Sequence, residues 1–160
     1  MHERRTRARG GTGALGRRVD ELVDRHLAQP DLEEAPRVAH DVEVRHLTLT
    51  GRPLYGIFMR NVDNLVLGQI DMRLSGGLGV RIDNRGNTSA RSRNIRIDNV
   101  FVSGASSHAV ETYGVDGLTV GTVTARNVGE SGLLLNQTVN ATVGTVDAEN
   151  AGAGTGYAAF

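Results

Sequence analysis

Two carboxylates and an imidazole offer the chemistry of proton transfer. Asp83 and Glu111 are the acids, and His108 lies just ahead of Glu111 in the segment SSHAVETYG. A general acid and a general base on opposite sides of a bond can drive its hydrolysis or elimination. Histidine exchanges its proton nearest neutrality. Arg60, Arg81, Tyr113, Asn136 and Tyr157 supply guanidinium groups, phenol rings and an amide. Those types read hydroxyl groups by hydrogen bonds and stack on rings. Each residue also has a plainer reading. Arg81 and Glu111 can form a cross-strand ion pair worth about 0.2–1 kcal/mol. Asp83 beside Asn84 can make a turn. The tyrosines can be exposed ladder aromatics, and His108 a loop residue without chemistry.

Whether these residues meet depends on the elements that carry them, and here the sequence repeats. HDVEVRHLTL, DNLVLGQIDM, RNIRIDNVFV, DGLTVGTVTA and VNATVGTVDA share one pattern. With Asp41, Asn64, Asn94, Gly117 and Asn140 as position zero, the spacings are 23, 30, 23 and 23. The long one is 23 plus a seven-residue insertion, Arg85–Arg91. At positions one, three, six, eight, sixteen and eighteen of each repeat the residues are apolar, Thr112 and Gly156 excepted. Pairs two residues apart have the period of a strand. The pattern predicts three short strands per coil and about five 23-residue coils, stacked in parallel at ~4.8 Å per coil. No segment between Asp41 and Phe160 has helical periodicity, which excludes a leucine-rich α/β solenoid.

In such a stack the outward residues of the third strand form two columns. Phe58, Arg81, Glu111, Leu134 and Tyr157 make one; Arg60, Asp83, Tyr113, Asn136 and Ala159 make the other. Asp83 and Glu111 then sit on neighbouring coils, two residues apart along the strand. Their stems would be roughly 8 Å apart, from ~4.8 Å between coils and ~6.6 Å along the strand. That falls within the ~6.5–9.5 Å of an inverting glycosidase. The insertion leaves directly after this strand and could wall a cleft.

The corners are expected at Gly68, Gly121 and Gly144, with the positive φ that glycine permits. Beside them runs a polar column, His46, Gln69, Asn99, Thr122 and Thr145, in which His46 reads as a corner residue. Residues 14–28, ALGRRVDELVDRHLA, have helical periodicity, with Leu15, Val19, Leu22, Val23 and Leu27 on one face. This amphipathic helix is expected to cap the first coil, since an open solenoid end exposes apolar surface and strand edges. The domain division is thus 1–39, a basic arm plus capping helix, and 40–160, the solenoid. The final coil carries Ala141, Ala148, Gly156 and Ala158, and no polar turn or helix follows it. Truncation, or self-association through an uncapped C-terminal end, is the corresponding expectation.

Composition narrows the partners. Lys plus Arg and Asp plus Glu are each 18, so nothing calls for a nucleic acid. Arg4, Arg5, Arg7 and Arg9 read as a solvated arm. No run approaches the ~18 apolar residues of a membrane span. The basic start lacks the apolar core of a secretory signal. There is no cysteine, and no calcium loop of the D-x-[DN]-x-[DN]-G kind, DNRGN being a faint echo. No metal or cofactor is expected.

The 23-residue coil, the two-residue bend and the strands GIFM, GVRI and GLLL resemble the pectin-lyase-like right-handed parallel β-helix superfamily. The likeness covers residues 40–160. It implies an all-β, right-handed, single-stranded parallel β-helix and a carbohydrate-active protein, a polysaccharide hydrolase or lyase acting on an extracellular glycan. Glu111, Asp83 and His108 would take the acid and base roles, and Arg60, Arg81, Tyr113, Asn136 and Tyr157 would bind the polysaccharide or oligosaccharide. A non-catalytic glycan-binding module, or a purely structural segment, is the alternative, because this fold hosts all of these.

Overall fold

A computed structural model describes residues 38–85, 90–153 and 155–156. The expected capping helix over 14–28, Tyr157 and the last residues of the chain lie outside these. Among the described residues all regular structure is β. The strands are β1 (Ala39–Gly51), β2 (Tyr55–Met59), β3 (Val62–Leu74), β4 (Leu78–Asp83), β5 (Ser92–Ser103), β6 (Val110–Tyr113), β7 (Val115–Val128), β8 (Leu133–Asn136) and β9 (Val139–Ala151). They alternate between two parallel sheets, β1-β3-β5-β7-β9 and β2-β4-β6-β8, a solenoid of about five coils. The first two strands expected in each coil run together as one long strand, and the short strand of the second sheet completes the turn.

The pairing register reproduces the sequence repeat. Leu65 pairs with Ile95 and Ile95 with Leu118; Leu67, Ile97 and Val120 follow the same rule, as do Ile70, Val100 and Val123. All of these side chains are buried. Each contributes about 1.5–3 kcal/mol when fully covered, and the cover comes from the coils on either side. The outer coils show the converse. Val42, Val44, Leu47, Val143 and Val146 are only partly buried, having a neighbouring coil on one side. Thr112 is a polar member of the inward columns and is fully buried. Its hydroxyl lies 2.9 Å from that of Thr138, which in turn donates to the Asn136 carbonyl at 3.2 Å.

The bend glycines work differently from the expectation. Gly68, Gly121 and Gly144 do not have positive φ. Each is small because the coil below is close: a Cβ on Gly68 would lie 2.5 Å from the Arg45 carbonyl oxygen, and one on Gly121 2.4 Å from that of Asp98. The positive φ falls on position zero itself, at Asp41 (57°), Asn64 (58°), Asn94 (52°), Gly117 (81°) and Asn140 (53°). Asparagine tolerates this left-handed conformation better than most residues. Its amide is also used there: Asn64 Nδ2 donates to Asp41 Oδ1 at 2.8 Å and Asn94 Nδ2 to Asn64 Oδ1 at 3.0 Å.

The insertion spans the residues that the repeat assigns to it. Asp83 ends β4, and the ladder resumes with Ser92 opposite Val115 and Arg93 opposite Asp63. Its two ends are bolted by a buried polar knot. Ser92 Oγ donates to Asn84 Oδ1 at 3.1 Å and accepts from the Val62 amide at 3.1 Å. Asn84 Oδ1 also accepts from the Asn61 amide at 3.0 Å, and Asn84 Nδ2 donates to the Ala90 carbonyl at 2.9 Å. Ser92 stands in an inward column between Val62 and Val115, all three buried.

Candidate functional site

The outward columns of the second sheet place most of the expected site residues side by side. Phe58 pairs with Arg81, Arg81 with Glu111, Asp83 with Tyr113, and Tyr113 with Asn136. Strand alternation forces this, since Val80, Ile82 and Val110 occupy the core side. At the centre is the Arg81 guanidinium. Its Nη1 lies 3.3 Å from Glu111 Oε2 and its Nη2 3.0 Å from Asp83 Oδ2, with Nε also donating to that oxygen at 3.0 Å. Arg81, Asp83 and Glu111 are 9%, 2% and 6% exposed, so water screens this triad weakly.

Arg85, the first residue of the insertion, closes over Asp83. Its backbone amide donates to Oδ1 at 2.9 Å and its Nη2 to Oδ2 at 2.6 Å. The same guanidinium lies 5.4 Å from the centre of the Tyr113 ring. Arg60 donates from Nε to the Asp83 carbonyl at 3.2 Å and covers Phe58 at 5.3 Å. Tyr55 stacks on Phe58 with ring centres 4.9 Å apart, and Arg81 lies 5.4 Å from the Tyr55 ring. The face is therefore a flat layer of rings and guanidinium planes on a rigid sheet. Three arginines stand against two carboxylates: Asp83 accepts hydrogen bonds from Arg81 and Arg85, and Glu111 is ion-paired with Arg81.

His108 belongs to a different cluster. It is 5% exposed, and its Nδ1 accepts from the Ser131 amide at 3.1 Å. The ring proton of the neutral form is thereby placed on Nε2, which faces Glu130 Oε2 at 3.0 Å. Ser107 donates its hydroxyl to the same carboxylate oxygen. These contacts tie His108 to the coil above, whereas Glu111 is tied through Arg81 to the coil below.

Tyr55, Arg85 and Glu130 were not read from the sequence as site residues. Arg85 could have been found, because it lies two residues after Asp83 and so continues the outward alternation past the end of the strand. Glu130 follows Ser107 by 23 residues, one coil on, in the column beside His108. Tyr55 stands three residues before Phe58, and only the folded turn brings the two rings together. Among the described residues no group of three or more His, Asp or Glu is arranged to hold a metal ion. No family model, curated protein or solved structure matches the chain.

Proposed function

We propose that this chain is a carbohydrate-active protein of the pectin-lyase-like, right-handed parallel β-helix kind, and that it holds an extracellular glycan along the outward face of its second sheet. One observation carries the reading: Tyr55, Phe58 and Tyr113 lie on that sheet with Arg60, Arg81 and Arg85 against their rings. Rings supply stacking platforms, and guanidinium groups supply donors fixed in a plane. Asn136 adds an amide in register with Tyr113. Holding is favoured over cleaving, because Asp83 and Glu111 are buried and both already ion-paired with arginine.

A hydrolase or lyase is the second reading. It is favoured by two carboxylates on adjacent coils bridged by a single arginine, since a ligand that displaced Arg81 would release both. Titration against a polysaccharide panel, with assays for reducing ends and unsaturated uronides, separates the readings. For a binder, Tyr113→Ala weakens affinity about two- to thirteenfold, from an aromatic contact of roughly 0.5–1.5 kcal/mol, and Glu111→Gln changes it little. For an enzyme, Glu111→Gln keeps binding and abolishes turnover, because an amide preserves shape but transfers no proton. A glycan that binds wild type and both variants equally would rule out this face.

A further inference from the structure

His108 is a buried ionisable group that the face of the second sheet does not use. It stands in the corner between β5 and β6, and the next corner, between β7 and β8, holds it. Three successive amides of that next corner reach the coil below. Those of Gly129 and Glu130 donate to backbone carbonyls, at Ala105 (2.9 Å) and Ser107 (3.3 Å). The third, of Ser131, donates to a side chain instead, His108 Nδ1 at 3.1 Å. The other ring nitrogen, Nε2, lies 3.0 Å from Glu130 Oε2, and Ser107 donates to the same oxygen. The remaining ionisable groups around this corner are few. At this phase the coil below presents Ser75, Gly76, Gly77, Leu78 and Gly79, and the sequence of residues 151–156, one coil above, carries no charge. The Arg52 side chain lies beside Gly76, while Glu111 on β6 and Arg126 on β7 are paired with Arg81 and Asp147.

We infer that His108 is an acid-sensitive latch between neighbouring coils, closed by the neutral imidazole and opened by its second proton. A neutral imidazole has one acceptor nitrogen and one N–H. Both are used here: Nδ1 accepts from Ser131, and Nε2–H faces Glu130. An imidazolium has two N–H groups and no acceptor. Its Nδ1–H then meets the Ser131 N–H donor to donor. Ser131 is 2% exposed and His108 5%, so water does not readily replace the lost acceptor, and a buried donor without one is unfavourable. The second proton also strengthens the contact with Glu130. That gain acts in the same direction. The Glu130 side chain is 27% exposed, so it can follow the ring outward, whereas Ser131 is enclosed. The charged ring is therefore best placed when it turns toward Glu130 and away from the Ser131 amide. Residues 129–131 then part from the coil below just ahead of β8. The inference stands on this corner and does not depend on what the second sheet binds.

The test follows the ring and the amide together. The full 160-residue chain, labelled with nitrogen-15, is titrated from alkaline to acid pH. Long-range proton–nitrogen spectra are expected to show His108 first as the Nε2–H tautomer and then doubly protonated. As the second proton binds, the hydrogen-exchange protection factor of the Ser131 amide should fall at least about tenfold. The Val80 amide, which donates to the Ala109 carbonyl at 2.9 Å, should keep its protection within about twofold over the same range. His108→Gln offers Ser131 an amide oxygen and Glu130 an amide N–H at every pH, so Ser131 protection in that variant should no longer depend on pH. Should His108→Gln not fold, the tautomer and the coincidence of the two wild-type titrations decide. The inference is overturned by a neutral Nδ1–H tautomer, by Ser131 protection that ignores the protonation of His108, or by a pH response that survives His108→Gln. It is also overturned if His108 stays neutral until the chain unfolds, or if Val80 loses protection together with Ser131, which is ordinary acid unfolding.

Discussion

Asn94 shows how one residue type can serve backbone and ladder together. Its φ of 52° costs a residue with a Cβ roughly 1–2 kcal/mol, which asparagine partly offsets by local hydrogen bonding. Its Nδ2 also reaches the coil below at Asn64. Asn94→Ala should therefore lower stability by about 1–2 kcal/mol, and Asn94→Gly by less than about 1, since glycine relieves the backbone and loses only the ladder bond. Urea unfolding of both variants checks the order; equal losses would place the whole effect in the side chain. Asp147 shows a charge-assisted, hydrogen-bonded version of cross-coil linkage. The hydrogen bond from Arg126, with the charge of that guanidinium, holds its carboxyl below the usual carboxylate value, against a smaller opposing effect of burial. A depressed folded-state pKa means stability that is complete above the unfolded value and is lost as pH falls through the folded one. Carboxyl-carbon NMR titration should find Asp147 ionised to lower pH than a free aspartate, and Arg126→Gln should erase the difference.

At the scale of elements, the insertion is a detachable part. Its ends meet at Asn84 and Ser92, and the neighbours of Ser92 in its inward column are Val62 and Val115. Deleting residues 85–91 together with Ser92→Val restores a 23-residue coil. The thermal midpoint should stay within a few degrees of wild type, because shortening a connection by about seven residues changes its closure entropy little. Glycan binding on the second sheet should weaken, because Arg85 no longer covers Tyr113. A midpoint that collapses would show that the loop itself holds the corner together. The sequence made this element legible to the residue, because stacked coils demand the same side-chain type at the same phase, and a break in phase marks an excursion. The bends were misread for an equally physical reason. Glycine serves both positive φ and close approach, and spacing alone does not separate the two uses. Gly68 is there for contact with Arg45, while the turning is done by asparagines that look like ordinary surface polars. The outward columns of the site were legible by alternation. Which carboxylate each arginine chooses was not, since that depends on side-chain rotamers, within one coil at Arg85 and both within and across coils at Arg81.

Among the described residues, each strand has most of its backbone neighbours in the preceding and following strands of the same sheet. Within the described coils the core is thus a column, in which an inner coil is covered by the coils on either side of it. That arrangement resembles a linear array whose stability sums coil by coil. It also gives the molecule a mechanical signature. Tension applied along the solenoid axis pulls the backbone ladder apart from one end, a few hydrogen bonds at a time, instead of shearing a whole sheet at once. Each released coil adds a fixed contour length. Three position-zero intervals hold 23 residues and one holds 30. At about 3.3–3.6 Å per extended residue, these are steps of roughly 80 Å and 105 Å. Optical-tweezer extension should record a low-force staircase with one long tread, and its place in the sequence of treads tells from which end the thread is being drawn.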